Sequence, residues 1–154
     1  MVRAKLLLDT NVVVDYLSVR EPHYASARLL MLTGYAGEFE LWISSSQVTD
    51  LIYILSDGGR RSQLDETLER LQKLRTFVNV FPVSDREIDL MLAARWKDPE
   101  DYLLVEVALA LRADAIITRN GEDFPKDLVP VMDCDEFFAW LKKEHGIDYA
   151  EMPL

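Results

Sequence analysis

The sequence predicts an α/β domain in three layers, with a central, mainly parallel sheet of about five strands flanked by helices. Three observations predict it. Short, wholly apolar runs such as Leu6-Leu7-Leu8 and Ala115-Ile116-Ile117 suit strands covered on both faces, as in parallel sheets. Successive strand candidates are separated by helical segments rather than tight turns, which is the pattern of parallel crossovers. The 154 residues are 49% hydrophobic, and no low-complexity tract or Gly/Pro-rich linker divides them, so 1–154 reads as one domain with a sizeable core.

Leu6 to Leu8 form the first strand. Asn11 to Leu17 follows as a helix, although Val12-Val13-Val14 favours strand by propensity, because Thr10-Asn11 does not supply a tight hairpin turn. Glu21-Pro22 breaks the pattern. Tyr24 to Leu32 reads as a helix with Ala25, Arg28, Leu29 and Leu32 at helical spacing, ended by Gly34 and Gly37. Leu41-Trp42-Ile43 is a short second strand. Ser44-Ser45-Ser46 offers N-caps to a helix with Val48, Leu51, Ile52 and Leu55 on one face. After the Asp57-Gly58-Gly59 turn, Ser62 to Phe77 is a longer helix with Leu64, Leu68, Leu71 and Leu74 inward. Val78 to Val83 is the third strand. The capping box Ser84-Asp85-Arg86-Glu87 opens a helix carrying Ile88, Met91, Leu92 and Trp96. Asp98 as N-cap, Pro99 at the first position and acids in the first turn then start a helix that buries Leu104, Val107, Ala108 and Leu111. Ala115 to Thr118 is the fourth strand and Val129 to Met132 the fifth. Asp133 and Glu136 cap a last helix to about Lys143, and 146–154 carries no readable pattern.

Composition bounds the function. The formal charge of −10, from 27 acids against 17 Lys plus Arg, excludes nucleic-acid binding through the overall field. A nucleic-acid enzyme of this charge needs a local basic patch or metal ions that reverse the sign of the site. No apolar run approaches the roughly 20 residues of a membrane span. The N-terminus leads straight into a strand with no secretory pattern, and the single Cys134 allows no internal disulfide and no Cys-rich zinc site. A cytoplasmic protein is the expectation.

Asp9 follows three leucines, where an acid is costly unless satisfied. It stands at the carboxyl end of the first strand, the edge where open parallel sheets bind ligands. Asp50, early in the helix after the second strand, and Asn120 with Asp123, after the fourth, gather at that edge by fold logic alone. Asp101 joins them if its helix pairs with the one before it. Several carboxylates close together repel, so some protonate unless a cation intervenes. An oxygen-only set with neither His23 nor His145 nearby suits Mg²⁺ or Mn²⁺, which could bind a phosphodiester and activate water. Simpler readings exist for most of these acids: Asp50 as a solvated helix residue, Asp98, Glu100 and Asp101 as helix N-terminal charges, Asn120 as a strand terminator. Asp15, Asp57, Asp114 and Asp127 read as surface or turn acids.

These motifs resemble a known family. Leu7-Leu8-Asp9-Thr10-Asn11 is similar to the opening of PIN domains, the fold of VapC-type toxin ribonucleases. Asp98-Pro99-Glu100-Asp101-Tyr102, then Ala113-Asp114-Ala115-Ile116-Ile117-Thr118-Arg119-Asn120, Gly121-Glu122-Asp123-Phe124 and Asp135-Glu136-Phe137-Phe138 are similar to its second half. The resemblance spans roughly residues 4 to 142. It implies a PIN-like fold and a Mg²⁺- or Mn²⁺-dependent endoribonuclease with Asp9, Asp50 and Asp101 as acids. The family more often has Glu where Asp50 stands. Asn120 stands where Asp is common, and a subgroup carries Asn there with an acid three residues on, as Asp123 is here. Asn11 and Thr118 would orient the groups around the metal. The resemblance also implies an inhibitory antitoxin partner and a homodimer.

For RNA contact, Arg60, Arg61, Arg112, Arg119 and Lys126 are the basic candidates, Arg119 foremost, while Arg70, Lys73 and Arg75 read as solvated helix charges. Two other readings compete. A phosphoacceptor domain of receiver or phosphatase type also places an Asp at a strand end, but the phosphatase wants a second Asp where Asn11 stands, and no suitable Lys follows a late strand as a receiver requires. A non-catalytic module binding RNA or protein is the other.

Overall fold

The structure is a computed structural model that describes residues 3–149. Five strands form one sheet in the order β3-β2-β1-β4-β5: β1 Lys5–Leu8, β2 Glu40–Ser44, β3 Val78–Phe81, β4 Ala115–Ile117 and β5 Val131–Met132. All four pairings are parallel. Seven α-helices flank the sheet among the described residues: α1 Thr10–Leu17, α2 Tyr24–Tyr35, α3 Val48–Leu55, α4 Arg61–Leu74, α5 Asp85–Ala94, α6 Pro99–Leu111 and α7 Cys134–His145. The three-layer α/β architecture expected from the sequence is the one observed, and none of the helices is long and apolar enough to cross a membrane.

Alternation along β1 divides the core. Leu6 and Leu8 face a cluster built with Val12, Val13, Leu30, Leu51 and Phe137, whereas Leu7 faces one built with Leu104, Val107, Ala108 and Ile116. All three leucines are fully buried. The sheet is therefore covered on both faces, which is why its central strands contain no polar alternation. The helix over Val12-Val13-Val14 is confirmed: tertiary burial of all three overrides their strand propensity.

Several local expectations shift. The buried face of α2 is Ala27, Leu30, Met31 and Gly34, while Ala25 is exposed. Gly34 lies inside the helix rather than ending it, because a Cβ there would fall 2.2 Å from Leu41 Cδ1. In α4, Leu74 is buried, but Leu68 points outward and Thr67 takes the inner position. Helix α5 stops at Ala94 with Arg95 left-handed, so Trp96 lies beyond it and donates its indole N–H to the Asp123 carbonyl at 2.9 Å. Part of the patternless tail packs on the core: Tyr149 is buried against Phe39 and Phe138. The remainder of that tail, 150–154, lies outside the described residues.

The largest correction concerns Asp15. It is not a surface acid; it is 1% exposed and holds Arg119 in a two-point ion pair, with Arg119 Nε at 2.6 Å and an Arg119 terminal nitrogen at 3.1 Å. The pair joins the end of α1 to the loop after β4. Replacing one member of a buried pair leaves an uncompensated charge, whereas replacing both by apolar groups does not. We therefore expect Arg119→Met to cost about 3 kcal/mol, the low end for a buried pair because Arg119 keeps some water contact. The double change Asp15→Leu with Arg119→Met should cost much less. Denaturant unfolding of the three proteins decides it, and a double variant no more stable than the single one would count against the pair as the cause.

Candidate active site

Strand β1 sits between β2 and β4, and the chain changes side of the sheet between β1 and β4, the position where open α/β sheets open a crevice. In the register of these strands Leu8 lies opposite Ile117, so the next residues, Asp9 and Thr118, emerge side by side. Asp9 also serves as N-cap of α1, its Oδ1 accepting from the Thr10 N–H at 2.7 Å. Its Oδ2 accepts from the Thr118 hydroxyl at 2.8 Å and from Asn11 Nδ2 at 3.4 Å. Asn11 Oδ1 in turn accepts from the Arg119 N–H, and Thr118 Oγ1 from the Asn120 N–H. Asn11 and Thr118 thus hold the first carboxylate in a fixed orientation.

Behind it, buried Gln47 donates to the Leu8 carbonyl at 2.9 Å and to the Thr10 hydroxyl at 3.2 Å, while its carbonyl oxygen accepts from the Ser44 N–H. This locks the start of α3 to the end of β1. The sequence reading did not single out Gln47, although Ser44-x-x-Gln47 is itself a capping-box pattern.

Two grooves open from this point. One of about 610 Å³ is lined by Asp9, Asp50 and Asp101, together with Tyr53 and Ile54. The other, of about 290 Å³, is lined by Asp9, Asn11, Asp101, Asn120 and Asp123, with Asp98 and Arg20. Asp9 and Asp101 border both. Helix α5 packs against α6, and the first turn of α6 carries Asp101 to the groove. Asp50 lies on one side of the Asp9–Asp101 pair, and Asn120 and Asp123 on the other. Thr118 lines neither groove and acts from behind Asp9.

Burial first, then the carboxylates of Asp9, Asp98 and Asp123, push the Asp101 carboxyl up to about 7. Burial also raises Asp9, assisted by Asp98 and opposed by the Thr118 and Thr10 hydrogen bonds and by Arg119. Asp98 thus does more than cap α6 through the Asp101 N–H; it adds charge to the groove. Asp123 shares its charge with Lys97 at 3.8 Å.

Among the described residues, no three Asp, Glu, His or Cys side chains close into a ready-made metal-binding group. Mg²⁺ does not require one: it is held by one or two carboxylates and completes its octahedron with waters and substrate phosphates. Asp9 and Asp101 on one groove, all-oxygen and short of compensating charge, fit that mode in donor chemistry. Of the expected basic residues, none lines either groove. Arg119 is turned inward to Asp15, and Arg60 pairs with Asp57. Arg20, which carries no sequence signal, lines the second groove beside the acids, where Lys97 also reaches Asp123.

Comparison with known proteins agrees with the geometry. A family model described as PIN domain matches residues 5–122. No curated protein matches. Among solved structures, the chain is similar to VapBC2 from Rickettsia felis bound to a DNA fragment from their promoter (TM-score 0.59, 18% identity, 84% of this chain and 98% of that one). It is also similar to a toxin-antitoxin complex from Klebsiella pneumoniae (0.58, 22%, 79% and 92%) and to FitAcB from Neisseria gonorrhoeae (0.63, 15%, 84% and 97%). At these identities the structures speak for the fold alone. The family match spans most of the chain, from β1 through the loop after β4, and by it the chain belongs to the PIN-domain family.

Proposed function

We propose that the protein is a Mg²⁺- or Mn²⁺-dependent endoribonuclease, and the toxin of a toxin–antitoxin pair. The observation that carries the nuclease reading is the Asp101 carboxyl, held near 7 by burial and by three neighbouring acids on a groove that also exposes Asp9. Such crowding is unfavourable in the isolated protein and favourable once a divalent cation enters. Asp9 and Asp101 would hold the ion, with Asp50 on one flank and Asp123 on the other. When bound, Mg²⁺ or Mn²⁺ neutralises a phosphodiester and acidifies water for attack on it.

The chain's own residues do the positioning. Thr118, Asn11 and the Thr10 N–H fix the Asp9 carboxylate so that it does not reorient when a substrate arrives. Partial burial of Asp101 reduces its screening by bulk water. Asn120 makes no side-chain hydrogen bond among the described residues and offers its amide to the substrate side of the groove, in keeping with the subgroup whose Thr-Arg-Asn run ends on a neutral residue. His23 and His145 line neither groove, so the acid–base work falls to carboxylates and water.

The toxin reading is supported by the similar structures, which are described as VapBC2 and as a toxin-antitoxin complex. An acidic groove on a chain of net charge −10 suits a basic inhibitory segment. A homodimer acting in the cytoplasm completes the proposal. The receiver alternative loses support: receivers order their strands 2-1-3-4-5, whereas this sheet runs 3-2-1-4-5.

Cleavage of a short labelled RNA by the purified protein in Mn²⁺ should stop in EDTA. Asp9→Asn or Asp101→Asn should each lower kcat/KM at least about a hundredfold, beyond the usual loss from a supporting residue, with the circular dichroism unchanged. Full activity in EDTA would defeat the metal-dependent reading, and a variant that cleaves normally would remove its residue from the site.

The raised carboxyl also fixes a pH dependence. The folded chain keeps the Asp101 proton up to about pH 7, while the unfolded chain releases it near the ordinary 3.8. The folded state therefore binds more protons between these values, and this group's effect on stability worsens as pH rises through that window. Without divalent ions, Asp101→Asn should melt above the wild type at pH 8, by a smaller margin at pH 5, and close to it only below the ordinary 3.8. Adding Mn²⁺ at pH 8 should raise the wild-type melting temperature more than the variant's. Parallel curves for the two proteins at both pH values would contradict the crowding.

A further inference from the structure

The entry to α6 and the loop after β4 both line the smaller groove. Asp98 and Asp101 come from the first, Asn120 and Asp123 from the second. The two segments carry like charge, and no strand pairing joins them. Strand β4 ends at Ile117, and the short turn over Gly121–Asp123 closes on itself. In that turn the Asp123 N–H donates to the Asn120 carbonyl at 3.0 Å and the Phe124 N–H to the Gly121 carbonyl at 3.2 Å. Phe124 is buried in the layer that holds Leu103 and Leu104, which anchors the loop one residue after its acid. The acid itself is held by two successive residues of the link between α5 and α6. Left-handed Arg95 ends α5 and turns the chain. The half-buried Trp96 then donates its indole N–H to the Asp123 carbonyl at 2.9 Å. The Lys97 ammonium lies 3.8 Å from the Asp123 carboxylate and 5.8 Å from the centre of the Trp96 ring. Asp98, next in the chain, caps α6 by accepting from the Asp101 N–H at 3.2 Å. The run from Trp96 to Asp101 is thus bonded to Asp123 at one end and to the helix start at the other. Among the described residues no other hydrogen bond or ion pair links the entry to α6 with this loop.

We propose that Trp96 and Lys97 are positioning residues that clasp Asp123 to the start of α6, and that they act on cation binding in opposite senses. This rests on the reading of the acids as a divalent-metal site and adds to it the two residues that set their spacing. Trp96 binds the main chain of Asp123 and commits neither carboxylate oxygen. It holds Asp123 beside Asp101 against the repulsion of their charges, with or without a cation. Lys97 binds the carboxylate itself. Its ammonium offsets that repulsion in the metal-free protein and competes for the same oxygens with a divalent ion. The side chain of Lys97 is exposed and flexible, and exposed pairs of this kind contribute little, so it is readily displaced. Loss of the indole N–H should therefore weaken cation binding, and loss of the ammonium should strengthen it. A role in the fold alone would not produce opposite signs from neighbouring residues.

The test is calorimetric titration of Mn²⁺ into the purified full chain, without RNA and well below its melting transition. The proteins are wild type, Trp96→Phe, Lys97→Met, Asp123→Asn, and Asp123→Asn combined with each of the first two, with melting curves to confirm folding. Trp96→Phe keeps a ring and loses the donor, and it should raise the Kd for Mn²⁺ roughly twofold to tenfold, the net worth of one hydrogen bond. Lys97→Met keeps the alkyl chain beside the ring and should lower that Kd by up to about fivefold. In the Asp123→Asn background neither change should move Kd further, because the carboxylate they act through is gone. Wild-type affinity in Trp96→Phe, no gain in Lys97→Met, or effects that persist undiminished without the Asp123 carboxylate would each overturn the clasp. A wild type that binds no Mn²⁺ would overturn the metal reading and the clasp with it. A wild type that binds Mn²⁺ but cleaves no RNA would overturn the nuclease reading alone, and the Kd values would still decide the clasp.

Discussion

Leu8 lies opposite Ile117 in the parallel pairing of β1 and β4, and the next residue of each strand leaves the sheet beside the other. The Asp9 N–H still donates to the Ile117 carbonyl at 2.9 Å, so the ladder extends one step past the strands. The Thr118 hydroxyl then donates to Asp9 Oδ2. A slip of one residue in this register would turn Leu8 to the wrong face and separate the two polar side chains. Both layers are apolar, so the register is held by close packing, Leu6 and Leu8 filling one layer and Leu7 the other. Packing inside the sheet thereby sets polar geometry at its edge. Gln47 adds a second constraint by fixing α3, and with it Asp50 and Tyr53, to the same strand end.

Around this fixed point the molecule concentrates what folding disfavours. Asp9, Asp98, Asp101 and Asp123 act on one another through a partly dehydrated space. Elsewhere the chain offsets its charges locally, as Glu87 does by accepting from the Ser84 N–H and hydroxyl. At the groove the compensation is left incomplete. A folded protein that tolerates such repulsion has the remainder of its core to offset it, here two layers packed on a sheet whose central leucines are wholly buried.

The legible parts were those whose signal is local. Three leucines before Asp9, and Asp98-Pro99 before Asp101, announce a strand end and a helix start within a few residues. The α/β class followed from the same runs. The illegible parts depend on partners far along the chain. Asp15 looks like any helix acid until Arg119, more than a hundred residues later, is folded against it. For the same reason Arg119 looked like an RNA contact, and its inward turn could not be read from Thr118-Arg119-Asn120 alone. The inner face of α2 was misread because Gly34 serves a close approach to Leu41 rather than a helix end. Arg20 and Tyr53 escaped notice because a lone cation and a lone aromatic have no periodicity, and only the grooves give them meaning.

The pairing of Asp15 with Arg119 also bears on how this chain can drift. Each side chain is acceptable mainly because the other is present, so a first substitution at either position meets a penalty that only a second one relieves. Lineages can leave this state only by crossing a less stable intermediate or by changing both codons together. The two positions flank the groove without entering it, yet they hold Asn11 and the loop of Asn120 in place through the Arg119 backbone. Sequence change near the groove is thus restrained from a pair that lines neither groove.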